Sequence, residues 1–306
     1  MRILLTGIAG RLGRLVAATL SAHHTVVGID RRPALGLPQG VVHHRIDLRR
    51  RSAEHIFAEF RPEAVVHLGL VHNVRIAAEQ LYARNVVGTE TLLRWVQKYQ
   101  VERLVLLSSG DVYGPSPANS HFIGEDAPLL ASQRFPEVRT LVAVDRAVQA
   151  FFWRHPEVQT IILRPAHIVG PNVRNAPSNY LRLRVVPTQM GFDPMLQLIH
   201  ESDVCAYIAA VLQKNCRGVY NLAGSAPVPL SRIIAAMGKQ ALPIPHLLFR
   251  AGLKQLWRWH LTNFPPPELD HIRFSTVLDT ERAALELPVQ PVRLLPDILQ
   301  DFILRD

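Results

Sequence analysis

Thr6-Gly7-Ile8-Ala9-Gly10-Arg11-Leu12-Gly13 decides the fold. It follows a short apolar run, residues 2–6, that reads as a strand, and it opens an amphipathic pattern over residues 11–21 that reads as a helix. Gly7 permits a tight turn, Gly10 lets the backbone approach a pyrophosphate, and Gly13 lets helix and strand pack closely. Dinucleotide phosphates then meet free N–H groups at a helix N-terminus. Three glycines alone are a weak signal; the strand before them and the helix after them give them weight. Asp30 closes the second strand, where a carboxylate accepts hydrogen bonds from both hydroxyls of an adenosine ribose. Its charge opposes a 2′-phosphate, while Arg31 and Arg32 pull the other way. The expected cofactor is NAD(H), with NADP(H) less favoured, held by Gly7, Ile8, Ala9, Gly10, Arg11, Leu12, Gly13, Asp30 and Arg31.

Outward from this turn, β-branched runs at residues 25–29, 41–46, 64–68, 104–108 and 160–163 alternate with helical patterns at 53–60, 77–99 and 138–153. A helix at about 202–212 and a strand at 219–222 rejoin them. Strands alternating with helices predict an α/β fold, a Rossmann-type doubly wound parallel sheet. Two segments break the alternation: the Pro- and Arg-rich stretch 170–197, and the chain beyond Pro227, with a basic aromatic helix at 246–260 and then Pro265-Pro266-Pro267. They are expected to form a small substrate lobe. The division is residues 1–170 plus about 196–225 for the dinucleotide domain, and 171–195 plus 226–306 for the lobe. Helix 246–260 reads as lobe packing, with a membrane-surface role as the alternative.

Composition narrows the class. Hydrophobic residues make up 48% and charged residues 19%, a globular balance. No apolar run is long enough to span a bilayer, and residues 3–7 are too short for a secretory leader. Cys205 and Cys216 fit neither a disulfide framework nor a metal cluster, so no metal and a reducing, cytoplasmic setting are expected. The net charge of +9 is carried mostly by arginine, scattered apart from Arg49-Arg50-Arg51, and reads as a solvated basic surface rather than a nucleic-acid site.

Further motifs share one pattern. They are Asp47-Leu48, His67-Leu68-Gly69, Asn85-Val86-Val87-Gly88-Thr89, Ser108-Ser109-Gly110-Asp111-Val112-Tyr113-Gly114, Arg164-Pro165 with Gly170-Pro171, and Leu198-Ile199-His200-Glu201-Ser202-Asp203-Val204. Together with the glycine spacing they resemble the extended short-chain dehydrogenase/reductase family, in its NAD-dependent epimerase/dehydratase branch, well to about residue 225 and weakly beyond. The resemblance implies adenine contacts at Asp47 and Leu48, and cofactor contacts at Leu68, Gly69, Asn85, Ser108, Pro165 and His167. It implies a small-molecule substrate of the nucleotide-sugar class. It also implies a homodimer through helices 77–99 and 138–153, to which Leu92, Val96, Leu141, Val148 and Phe152 supply apolar surface, some of it facing inward. Read from the residues alone, His67 is a hydrogen-bonded core histidine, Asn85 satisfies buried backbone, and Asp203 caps its helix.

The pattern fails at the chemistry. The family uses a tyrosine and a lysine one helical turn apart, the phenol moving a proton while hydride moves to or from the nicotinamide. Aligning Val148-Gln149 with the family's Ala-Glu sets Leu141 and Asp145 at those positions. No tyrosine lies between Tyr113 and Tyr180, and no lysine between Lys98 and Lys214. Candidate substitutes near the carboxyl ends of the strands are Ser108, Ser109, Asp111, Tyr113, Asp145 and His167. Three readings follow: an oxidoreductase, epimerase or dehydratase with a displaced acid/base group; an NAD-binding sensor or scaffold that has lost its chemistry; and, ranked last, a peripheral partner of membrane or nucleic acid.

Overall fold

The computed structural model describes residues 1–72, 75–224, 226–262, 264 and 266–303. Seven strands form one parallel sheet: β1 (Arg2–Thr6), β2 (Thr25–Asp30), β3 (Val42–Arg45), β4 (Ala64–His67), β5 (Arg103–Leu107), β6 (Gln159–Pro165) and β7 (Gly218–Leu222), in the spatial order β7-β6-β5-β4-β1-β2-β3. This is the doubly wound sheet expected. Strand order reverses between β1 and β4, where Thr6 lies beside His67 on one side and Ile29 on the other. Ligands of such sheets bind in the crevice outside the carboxyl ends at that reversal.

Both faces of the sheet are covered, so the central strands are continuously apolar. Alternate residues feed separate cores. Ile3 and Leu5 pack beneath helices α1 (Arg11–Ser21) and α5 (Glu201–Gln213), against Val16, Leu20, Val204 and Ile208. Leu4 packs on the other face with Phe57 of α2 (Arg51–Phe60), Leu92 and Val96 of α3 (Gly88–Lys98), and Val144 and Val148 of α4 (Arg139–Arg154).

Two expectations change here. The helix predicted over 77–99 is interrupted by a π-helical turn, Ala83–Val87, which carries Asn85. The wider turn lets the Asn85 amide bond backbone on the neighbouring loop, donating to the Val71 carbonyl at 2.9 Å and accepting from its N–H at 2.8 Å. And Leu92, Val96, Leu141 and Val148 are at most 5% exposed, filling the chain's own core rather than an outer face.

The two irregular segments pair with each other. Strand Val185–Gln189 runs parallel to Gln240–Ile244, and Met195–Leu196 pairs antiparallel with Val228–Pro229. Val186, Leu196, Leu230, Ile233 and Ile298 share a third core. After Val277 the chain returns to the sheet, where Ala283 and Leu287 pack with Tyr220 and Leu222. Pro265 of the triple proline lies outside the described residues. No helix among the described residues is long and apolar enough to cross a membrane. Cys205 and Cys216 are buried free thiols.

Candidate active site

The glycine turn is fixed by contact distances. Gly7 has φ +78°, and a Cβ there would stand 2.8 Å from the Gly69 backbone. A Cβ on Gly13 would fall 2.2 Å from the Gly7 carbonyl oxygen. Helix α1 begins at Gly10 with no side-chain cap and no acidic residue in its first turn, leaving N–H groups directed at the crevice. The Ile8 side chain is fully buried over Gly28, so only its backbone faces outward. Leu12 packs on the core, and Arg11 reaches the Asn172 carbonyl at 3.4 Å.

Asp30 accepts hydrogen bonds from the Ala9 N–H at 3.2 Å and the Arg32 N–H at 2.9 Å, and the Arg32 guanidinium pairs with it at 3.2 Å. Arg32, not Arg31, is therefore the arginine at this carboxylate. Its position two residues on, as in an Asx-type turn, was the available signal. Arg31 instead accepts a bond from Arg45 at its carbonyl. Asp47 is clasped by Arg49 at 2.7 Å, and that hydrogen-bonded partner holds its carboxyl down to about 2. Leu48 packs partly buried against the second core.

Below the crevice runs a chain of hydrogen bonds. The Gly69 N–H donates to Thr6 Oγ1 (3.1 Å), which donates to His67 Nδ1 (2.6 Å). His67 Nε2 donates to Thr89 Oγ1 (2.9 Å), which donates to the Asn85 carbonyl (2.6 Å). Both ring nitrogens are thus occupied in a neutral imidazole, and burial lowers the His67 pKa to about 4. His67 sits in the role read for a core histidine.

Asp145 and Tyr113 are held in a buried network. The Arg164 guanidinium pairs with Asp145 through Nε at 3.0 Å and through a terminal nitrogen at 2.7 Å, with Asp145 0% and Arg164 1% exposed. Ser108 Oγ donates to Asp145 at 2.6 Å and Gln149 at 2.7 Å, so both carboxylate oxygens are occupied and neither is left for ribose hydroxyls or substrate. Arg164 also donates to the Tyr113 hydroxyl at 2.7 Å, which donates to Asn221 at 2.8 Å. Burial pushes the Tyr113 phenol up, against Arg164, so it is no base near neutrality. The reason is packing: α4 lies across β6, which sets residue 145 over the arginine of that strand. Leu141 packs with Val112, Ile123 and Leu278.

A second group of titratable residues does gather at the strand ends. Asp111, in the turn after β5, stands 3.9 Å from Nδ1 of His167, which follows β6. Ser109 donates to the Asp111 carboxylate at 3.0 Å. From the lobe, the turn Pro266–Ile272 brings Glu268 and His271, with a carboxyl oxygen 4.0 Å from the imidazole Nε2, and His271 rests on Phe135 at 5.2 Å. Burial and then the Asp111 charge raise Glu268 to about 8. Burial lowers His167, with Asp111 opposing. Burial alone would raise Asp111, but His167, His271, Ser109 and His72 together hold it below its ordinary value. Near neutrality the cluster holds a protonated carboxyl, a neutral imidazole and a carboxylate. Sequence reasoning reached Asp111 and His167 but missed Glu268 and His271, whose only signal was their spacing of three after the prolines.

The sequence matches the NAD dependent epimerase/dehydratase family over residues 3–223, and the chain belongs to that family. It is similar to an uncharacterized protein of Mycobacterium tuberculosis, 29% identical over 98% of this chain and 82% of that one. The UDP-glucose 4-epimerase of Dictyostelium discoideum is 28% identical over 64% of this chain and 62% of its own length. Two solved structures share the fold. One is UDP-glucose 4-epimerase from Thermotoga maritima with UDP-glucose, at TM-score 0.77 and 19% identity over 100% of this chain and 98% of that one. The other is dTDP-glucose 4,6-dehydratase from Bacillus anthracis with NAD, at TM-score 0.76 and 19% identity over 100% and 96%.

Proposed function

We propose that this chain binds NAD(H) and oxidises, epimerises or dehydrates a nucleotide-sugar substrate, with proton transfer carried by the Asp111, His167, Glu268 and His271 cluster in place of tyrosine and lysine. The observation that carries this reading is the meeting of strand-end and lobe residues at the crevice, with Glu268 and His167 poised in opposite protonation states. The cradle fits a dinucleotide, since α1 offers uncapped N–H groups with no first-turn acid, and the glycines at 7 and 13 leave no room for a side chain. Gly7 to Gly13, Asp30, Leu68 and Gly69 would hold it, with Pro165 and His167 on the nicotinamide side. The bound nicotinamide supplies reversible hydride acceptance. The substrate hydroxyl gives its proton to His167 as hydride leaves the same carbon. When hydride returned to the same carbon, Glu268 would give a proton to the carbonyl oxygen, and the proton held by His167 would pass through solvent to the Glu268 carboxylate, restoring both groups. Asp111 steadies the imidazolium in between.

The test is incubation with NAD⁺ and UDP-glucose, UDP-glucuronate or dTDP-glucose, with products read by NMR and mass spectrometry. Turnover supports the reading. Tight NAD binding with no product from any substrate would favour the sensor or scaffold reading, which the missing tyrosine and lysine motivate. Calorimetry is expected to show tighter binding of NAD(H) than of NADP(H), and Asp30→Ala to erode that preference about ten-fold or more. The reverse order would mean that Arg32 reads a ribose phosphate.

Assembly and location belong to the same reading. The division into a dinucleotide domain and a substrate lobe is supported by the strand pairs that join the two irregular segments, except that Ala283 and Leu287, assigned to the lobe, pack on the sheet. A homodimer would form across exposed parts of the predicted helices, where Tyr82 and Trp153 are 52% and 77% exposed. A light-scattering mass near the 34.3 kDa monomer at micromolar concentration would count against it. The two free thiols fit a reducing, cytoplasmic compartment.

A further inference from the structure

The lobe carries a charge imbalance that the crevice does not use. From Val204 to Pro267 the sequence holds no aspartate or glutamate, yet it holds Lys214, Arg217, Arg232, Lys239, Arg250, Lys254 and Arg258. The last three stand four residues apart on helix α6 (His246–Arg258), all exposed.

Helical spacing divides α6 and its C-terminal end into three stripes. Phe249, Leu253 and Trp257 face inward: Leu253 is 5% exposed and packs with Leu269 and Ile272, and the Arg75 guanidinium covers the Trp257 ring at 3.6 Å. This is the lobe packing read from the sequence, and it uses one face only. The next stripe, Leu248, Leu256 and Trp259, is 67%, 42% and 60% exposed. The third is Arg250, Lys254 and Arg258, with Leu247 and Leu261 beside it at 80% and 69% exposure.

We infer that α6 docks this protein on an anionic bilayer surface. At 3.6 residues per turn the apolar and cationic stripes flank the inward face on opposite sides, and an outward surface with leucine and tryptophan at one edge and basic side chains at the other is the arrangement of a helix lying in the membrane interface. Leucine and tryptophan enter the acyl boundary, and the basic side chains reach lipid phosphates. A nucleic acid would use the basic stripe and leave the leucines in water. A second copy of this chain would set one basic stripe against another. An anionic bilayer satisfies both stripes at once. The docked helix is joined to the turn carrying Glu268 and His271 through Leu253, Leu269 and Ile272, so the lobe side of the crevice lies nearest the lipid.

Flotation of the full-length protein with phosphatidylglycerol/phosphatidylcholine vesicles tests this, with pure phosphatidylcholine vesicles as the control. Binding is expected only to the anionic vesicles, falling as salt rises. Arg250→Gln, Lys254→Gln and Arg258→Gln together should weaken it roughly a hundred-fold. Leu248→Ser with Trp259→Ser should weaken it about ten-fold or more. All five side chains are exposed, so thermal melts should match the parent. No binding to anionic vesicles overturns the proposal, as does binding unchanged in both variants. RNA binding lost in the basic variant without vesicle binding would assign the surface to nucleic acid. An oligomer broken by Leu248→Ser with Trp259→Ser, again without vesicle binding, would assign it to a second copy of the chain.

Discussion

Glu268→Gln and His167→Asn are each expected to lower turnover by about 10²–10⁴, because each removes one partner of general acid–base transfer, and Glu268→Gln should leave NAD affinity in place. The pH profile separates their roles. A neutral His167 accepts the proton, so the rate climbs as pH rises through its pKa, which burial holds below the ordinary 6.5. A protonated Glu268 donates, so the rate falls as pH rises through about 8. Glu268→Gln should abolish that alkaline fall and keep the acid limb. His167→Asn should abolish the acid limb. If both variants turn over as fast as the parent with unaltered profiles, the proton is carried elsewhere, and Ser109 and Asp111 become the next residues to change.

Asp145→Ala is expected to cost the fold about 3–5 kcal/mol, read by chemical denaturation, because it leaves the Arg164 guanidinium buried without its counter-charge. Asp145→Lys should be worse, since it sets a second cation against the first. Rebuilding the family's pair as Leu141→Tyr with Asp145→Lys would therefore unfold α4 from β6 before it could test chemistry. The matched double change, Asp145→Leu with Arg164→Met, removes both charges and should recover much of the loss. A loss below about 1 kcal/mol for Asp145→Ala would mean that water or another group compensates Arg164, and that residue 145 is more open than its burial implies.

The residues most legible in the sequence were those whose role is dictated by backbone geometry. Gly7 is required by the positive φ of the turn, Gly13 by its contact with the Gly7 carbonyl, and Asp30 by its place at a strand end; all three follow from local spacing. The strands were legible because burial on both faces makes them continuously apolar. Pairings set by packing between distant segments were not legible. Asp145 meets Arg164 only because α4 crosses β6, and nothing in the local pattern distinguishes it from an aspartate facing the crevice. Leu92 and Val96 present the same helical spacing whether their stripe faces the core or a second protomer. Glu268 and His271 belong to a 3₁₀ turn with no hydrophobic period, so their approach to Asp111 depends on the whole lobe.

The hydrogen bonds through His67 all point one way, from the Gly69 N–H through Thr6, His67 and Thr89 to the Asn85 carbonyl. Such a chain has polarity, and a second proton on the imidazole has no acceptor unless the Thr6 hydroxyl turns round and gives up its bond to His67 Nδ1. The stabilisation from a neutral His67 is whole above pH 6.5 and is lost as pH falls through about 4. Acid would then act on the wiring before it acted on the sheet. The Gly69 turn and the π-helical turn around Asn85 would lose one of their ties and keep the other, the pair of bonds between the Asn85 amide and the Val71 backbone.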